Sequence, residues 1–202
     1  MKASRSRDPF TPPTRRMALA LGALALAGCT LTPLGAPEPT GSGAFADGPR
    51  IDAATDATIA RLYRVVPGSQ TMVAQSAGVL VFPEVIGGAF IIGAQHGRGA
   101  LRVGGRTAGY YSTTGASIGW QAGGQSKSVI YVFNTQDALR RFQTSQGWTA
   151  GVDATVAAGK LGATGSIDSQ TAQQPVVSFV LNNVGLEAGV SLTGAKITRI
   201  VP

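Results

Sequence analysis

The sequence predicts a mainly β domain of the α+β class: a strongly curved, barrel-like antiparallel sheet with two short helices. Three observations point there. Glycine is heavily used, at 28 of 202 residues. Apolar runs of strand length, bounded by Gly, Pro or Asn, recur through the second half of the chain. Only two stretches carry a helical period. Glycine is costly inside helices but suits turns, bulges and tightly bent strands, so its excess favours a curved sheet over a flat one. Hydrophobic residues make up 44% and charged residues 13%. That balance excludes a disordered chain and calls for a packed core.

Ile51 to Val66 is the first helix. Thr55, Ile59, Leu62 and Val66 fall on one side of it, with Ile51 extending that side. Asp52 is placed to cap its start, and Pro67-Gly68 stops it. Strands follow. Gly78 to Phe82 is an apolar run closed by Pro83, and Phe90 to Gly93 is another. Leu101 and Val103 alternate with Arg102 before Gly104-Gly105, a dipeptide suited to a tight hairpin. Val129 to Phe133 is apolar throughout, as expected of a strand buried on both faces. Asn134 to Gln143 reads as the second helix, capped by Asn134 or Thr135, with Ala138, Leu139 and Phe142 inward. Beyond Trp148, strands are expected at Val176 to Leu181, at Leu186 to Thr193 by clean alternation, and at Lys196 to Val201.

The first 28 residues differ from the rest. Arg15-Arg16 precede an apolar run from Met17 to Ala27, which ends at Leu26-Ala27-Gly28-Cys29. A basic stretch, a short apolar stretch and small residues before a cut site make a secretory signal peptide, residues 1–28. At about 11 residues the run is well short of the ~20 that span a bilayer. Leu-Ala-Gly-Cys resembles the lipobox of bacterial lipoproteins, and Cys29 is the only cysteine. The resemblance implies lipid attachment at Cys29, and Thr30 after it implies the outer membrane, with the domain in the periplasm. Thr14 to Leu19 partly resembles a twin-arginine export signal, which leaves the export route open. Residues 29–50 then read as the lipidated Cys and a flexible tether rich in Pro, Gly, Ser and Ala, and 51–202 as the domain.

Charge and motifs narrow the function. The net charge is +7, but the leader holds five cations against Asp8, a net of +4, which leaves +3 for the rest. A nucleic-acid partner loses its main support once the leader is set aside. Gly115-Ala116-Ser117-Ile118-Gly119 has the letters of a nucleophile elbow. The elbow needs a helix after the serine and a histidine downstream, and His96, the only histidine, lies upstream. One His and one Cys build no metal site. Gly159-Lys160 lacks the surroundings of a phosphate loop. The expectation is therefore a non-catalytic protein with no cofactor. Arg98, Arg102 and Arg106 recur every fourth residue, and Arg61 and Arg64 lie off the apolar stripe of the first helix. These five arginines are the candidate lipid-binding residues, since guanidinium binds phosphate bidentately. A solvated face is the alternative for each.

A wider resemblance is carried by an ordered series. Gly78 to Pro83 is followed by Gly93, Gly97-Arg98-Gly99, Tyr110-Tyr111-Ser112, Gly115 to Gly119 and Gln121 to Gln125. Then come Ala138-Leu139 with Phe142, Gly151 to Ala154, and Gly185-Leu186 through Ser191-Leu192 to Gly194. The series resembles the SYLF domain, a lipid-binding family of bacterial lipoproteins and eukaryotic membrane-trafficking proteins. It implies a non-catalytic module that binds membrane phospholipids, anionic ones first. In eukaryotic members an amphipathic N-terminal helix and basic residues are implicated, and Ile51 to Val66 matches that helix by position. The competing expectation is a structural envelope lipoprotein that docks on a protein partner and reads no lipid. A closed apolar cavity would instead point to carriage of a single lipid.

Overall fold

A computed structural model of the chain describes residues 47–88, 94–116, 126–162, 165–187, 190 and 192–202. The leader, Cys29, the tether as far as residue 46, the expected strand at Phe90–Gly93, and Ser117 with the Gln121–Gln125 run lie outside the described residues. In chain order the elements are α1 (Asp47–Val65), α2 (Ser69–Gln75), β1 (Gly78–Gly88), β2 (Ala94–Val103), β3 (Arg106–Ala116) and β4 (Ser126–Phe133). They continue with α3 (Gln136–Thr144), β5 (Trp148–Thr149), β6 (Ala157–Ala158), α4 (Ser169–Ala172), β7 (Val176–Leu181) and β8 (Lys196–Ile200). The strands form one sheet in the order β5-β8-β3-β2-β1-β4-β7-β6. It is a strongly curled half-barrel, mainly β as expected. Every pairing is antiparallel except β6 with β7, which run parallel.

The continuous apolar runs arise because the middle strands are buried on both faces. Side chains alternate across a strand. Val79 and Val81 of β1, Ile130 and Val132 of β4, and Val177, Phe179 and Leu181 of β7 join Leu62, Val66 and Met72 in a core beneath α1 and α2. Their neighbours Leu80, Phe82, Val129, Tyr131, Phe133, Val176 and Val180 face the opposite core. There α3 inserts Leu139 and Phe142, which are 3% and 2% exposed. Phe142 lies 4.9 Å from both Tyr111 and Phe133 and 5.6 Å from Trp148, ring centre to ring centre. The helical pattern of Leu139 and Phe142 is thus the plug of the aromatic core. Of the two expected caps, Thr135 is the one used: its hydroxyl accepts from the Ala138 N–H at 3.2 Å.

Several expectations need correction. Among the described residues there are four helices rather than two, because α2 and α4 have seven and four residues, too few to show a period. α1 starts at Asp47, so the last residues assigned to the tether are helical and Asp52 lies inside the helix rather than at its cap. Pro83 does not close β1. The strand runs on to Gly88, and its register shifts past Pro83 against both neighbours. A proline supplies no N–H to the ladder, and a bulge is where a central strand tolerates one. The alternating run at Leu186–Thr193 forms no named strand among its described residues. Leu186 only bridges back to Leu181.

Three glycines are imposed by geometry. Gly104 and Gly105 have φ of 55° and 77° in the β2–β3 hairpin, the left-handed pair that such turns require. A Cβ at Gly99 would collide with the Val81 carbonyl oxygen, so β1 and β2 approach closely there only because this residue has no side chain.

Tyr131 gives the fold a pH signature. Burial pushes its hydroxyl well above the ordinary value of 10. The unfolded chain ionises this group near pH 10 and the folded chain resists, so its stabilisation is complete below about pH 10 and is lost as pH rises beyond. Urea denaturation should show Tyr131→Phe losing less stability between neutral and strongly alkaline pH than the parent does. An equal alkaline loss in both would assign the effect to other groups.

Candidate functional site

α1 crosses the sheet, and its two halves are held differently. Its later turns bury Leu62 at 0% exposure, with Val66 just after the helix also at 0%. The earlier turns bury small and polar residues: Gly48, Thr55 and Thr58. A Cβ at Gly48 would stand 3.1 Å from the Tyr110 hydroxyl oxygen. With little apolar contact available there, polar bonds do the holding.

Their hub is Arg102 with Asp52. The Arg102 side chain is only 13% exposed. Its guanidinium donates to Thr107 Oγ1 and to the Asp52 carbonyl oxygen, the latter at 3.1 Å. It also pairs with the Asp52 carboxylate at 3.4 Å and with Asp56 at 2.6 Å. Asp52 accepts in turn from Thr107 Oγ1 at 2.7 Å and from the Tyr110 hydroxyl at 2.9 Å. Burial first, then this bond to Asp52, raises the Tyr110 hydroxyl above its ordinary range. The planar fork of arginine meets this divergent set of acceptors, which a lysine ammonium would not reproduce.

The five candidate arginines therefore have different fates. Arg102 is largely withdrawn from solvent, and its two terminal nitrogens bond to α1 and Thr107. Arg98 stays 47% exposed but pairs with Asp47 at 2.6 Å. Arg61 donates to the Asn182 carbonyl oxygen, which ties α1 to the turn after β7. Arg64, in the last turn of α1, and Arg106, just past the hairpin, are exposed. They do not form one patch of five.

Two clefts border α1. One, of 380 Å³, lies between its first turns and the far ends of β1 and β2, and is lined by Arg50, Ile51, Glu84, Ile86, His96 and Arg98 among others. The other, of 390 Å³, lies between α1, α2 and the β2–β3 hairpin and includes Asp56, Ile59, Tyr63, Val73 and Arg102. Both mix charged and apolar groups. Neither is the closed apolar cavity that would suit a carried lipid.

The sequence reading missed one charged pair. Lys127 of β4 is 4% exposed and contacts Glu187 at 2.8 Å. Its only sequence signal was a lysine two residues ahead of the apolar run Val129 to Phe133. Among the described residues, no group of three or more His, Cys, Asp and Glu is placed to hold a metal. No helix there is long and apolar enough to cross a membrane.

Residues 114–200 match the family model Ysc84, whose description is Las17-binding protein actin regulator. The matched model is that of the SYLF domain, the family the sequence resembles. No curated protein matches the chain. The match begins near the end of β3, yet β3 and β4 are separated in the sheet by β2 and β1. The matched strands become one sheet only through the residues before them. The sheet that holds the matched residues thus includes β1 and β2 as well, covered by α1 and α2.

The hub is testable by stability. Removing one partner of a buried pair costs about 3–5 kcal/mol, whereas an exposed partner is worth about 1 kcal/mol or less. Arg102→Met should approach the first figure. Asp56→Asn, at a residue 67% exposed, should stay within the second. Equal losses in chemical denaturation would show that Arg102 is not the hub.

Proposed function

We propose that this is a lipid-anchored envelope protein whose SYLF domain binds anionic phospholipid by charge and performs no catalysis. In this reading Cys29 carries the lipid, and the anchor sits in the outer membrane with the domain in the periplasm. The match of residues 114–200 to the SYLF family model carries the reading. Exposed Arg64, Arg98 and Arg106 support it, and so does the surplus of +3 beyond the leader. Each Lys or Arg near an anionic surface contributes about 1 kcal/mol, so a few give weak binding. Weak binding suffices when a lipid anchor already concentrates the domain at the bilayer.

A second reading is favoured by one observation. The matched family is described as a Las17-binding protein actin regulator, which suggests a domain that docks on protein. In an envelope that partner would be another envelope protein.

Two measurements test the proposal. Cys29→Ala should abolish incorporation of a clickable fatty acid, and undiminished labelling would remove the anchor assignment. Residues 47–202 should co-sediment with vesicles containing phosphatidylglycerol. That binding should fall steeply as salt shortens the Debye length from ~10 Å to ~3 Å. Binding that ignores salt would replace surface charge with an apolar contact. Absence of binding to vesicles of any composition would leave the protein-docking reading standing.

A further inference from the structure

One end of the sheet carries two aliphatic side chains held out into solvent. Ser126 of β4 pairs with Ile86 of β1, and Ser128 of β4 pairs with Leu181 at the end of β7. Ile86 and the turn after Leu181 therefore lie at the same end, two strands apart. At ~4.8 Å per strand that is about 10 Å. Ile86 is 55% exposed, and Val184, in that turn, is 97% exposed.

The turn that presents Val184 is firmly built. Asn182 Oδ1 accepts from the Val184 N–H at 2.9 Å and the Gly185 N–H at 3.0 Å. The Asn182 N–H donates to the Gly185 carbonyl at 2.9 Å. Arg61 donates to the Asn182 carbonyl from the α1 side. Val184 thus projects from a fixed backbone, at a point where folding gives it nothing to pack against.

Charge surrounds the two tips. Arg98 stands opposite Glu84, and His96 opposite Ile86, in the β1–β2 register. Among the described residues, the cleft that holds Ile86 is lined by exposed Arg50 and Arg98 together with Asp47 and Glu84, and exposed Lys196 is level with Ile86 through the register Ile86, His96, Thr114, Lys196. A specific protein interface needs roughly 800 Å² per partner with a continuous apolar centre. Among the described residues, two separate aliphatic tips do not supply one. Small apolar tips with exposed cations beside them suit the boundary of a bilayer, where aliphatic groups enter the acyl region and guanidinium or ammonium stays with phosphate.

We propose that this end of the sheet, with Val184 and Ile86 at its tips, is the edge by which the domain docks on an anionic phospholipid bilayer. The proposal rests on the phospholipid-binding reading and names the edge that enters the acyl region; of the exposed arginines above, Arg98 lies at this edge and Arg106 at the hairpin end. The opposite end supplies a control. Val201 is 75% exposed and follows Ile200, which pairs with Tyr110, on the hairpin side of the sheet.

The test uses the full chain with Cys29→Ser and one new thiol, at Val184→Cys or Val201→Cys, carrying the environment-sensitive fluorophore NBD. Vesicles are phosphatidylethanolamine with phosphatidylglycerol, or phosphatidylcholine alone. The Val184 label should brighten and shift to the blue on the anionic vesicles and be quenched by bromine-labelled acyl chains, while the Val201 label stays unchanged. In residues 47–202, the pair Ile86→Asp and Val184→Asp should lower partitioning onto anionic vesicles roughly tenfold, and Val201→Asp should not. Equal responses at Val184 and Val201 would overturn the docking edge. So would a silent Val184 label while residues 47–202 still co-sediment, and that result would leave phospholipid binding intact. Entry of Val184 into both vesicle types alike would support the edge but remove the preference for anionic lipid. Failure of residues 47–202 to bind either vesicle would overturn the edge and the function together.

Discussion

Burial of β1, β4 and β7 on both faces is the constraint on which the rest of the structure depends. A sheet with two apolar faces needs two covers. α3 and the β5–β8 side supply one, with Phe142 and Trp148 as its largest contributions. α1 and α2 supply the other through Leu62, Val66 and Met72. Neither cover is optional, because uncovering either face would return several large side chains to water at about 1.5–3 kcal/mol each.

The cover formed by α1 is too polar at its start to hold by burial alone, and the Arg102–Asp52 hub fills that gap. Burying charge is expensive unless every donor and acceptor finds a partner. Here Thr107, Tyr110, Asp56 and the Asp52 carbonyl meet both terminal nitrogens of Arg102 and the Asp52 carboxylate, and the buried Arg102 Nε is left without a partner. The positive charges of the sequence are thereby divided. Arg102 is spent on the fold, Arg61 on a turn and Arg98 in part on Asp47, while Arg64 and Arg106 face solvent. Net charge and arginine spacing describe the chain, whereas availability is decided by what folds over each guanidinium.

The same division marks what the sequence made legible. Where one period dominates, the reading holds: Leu62 and Val66 on α1, Leu139 and Phe142 on α3, the unbroken run of β4, the glycine pair of the β2–β3 hairpin. It fails where the deciding partner lies far along the chain. Asp52 looked like a cap because a cap is a local feature, but its partners Arg102, Thr107 and Tyr110 lie 50 or more residues away. Pro83 looked like a strand end because its missing N–H is local, and the bulge that absorbs it depends on two other strands. The Leu186–Thr193 alternation obeyed the period of a strand yet found only a bridge at Leu186, since alternation cannot supply a neighbour. Of the site, the arginines were visible, but their separation into structural and exposed groups was not. Val184 was missed because nothing local distinguishes an outward valine from a buried one.

Relative energies also bear on how such a domain would meet a membrane under the proposed function. An amphipathic N-terminal helix that inserts into lipid is the expectation carried over from eukaryotic SYLF proteins. α1 has the position but not the freedom. Its apolar side is already spent on the sheet, with Leu62 and Val66 fully buried. Lifting it would break the Arg102–Asp52 pair as well. Those losses amount to several kcal/mol, against about 1 kcal/mol for each cation gained at an anionic surface. Lipid contact through α1 would therefore cost more than it returns. Contact through a fixed edge costs the fold nothing, because Ile86 and Val184 are exposed before any membrane arrives. On this balance α1 remains a structural cover, and the end of the sheet is free to meet the bilayer.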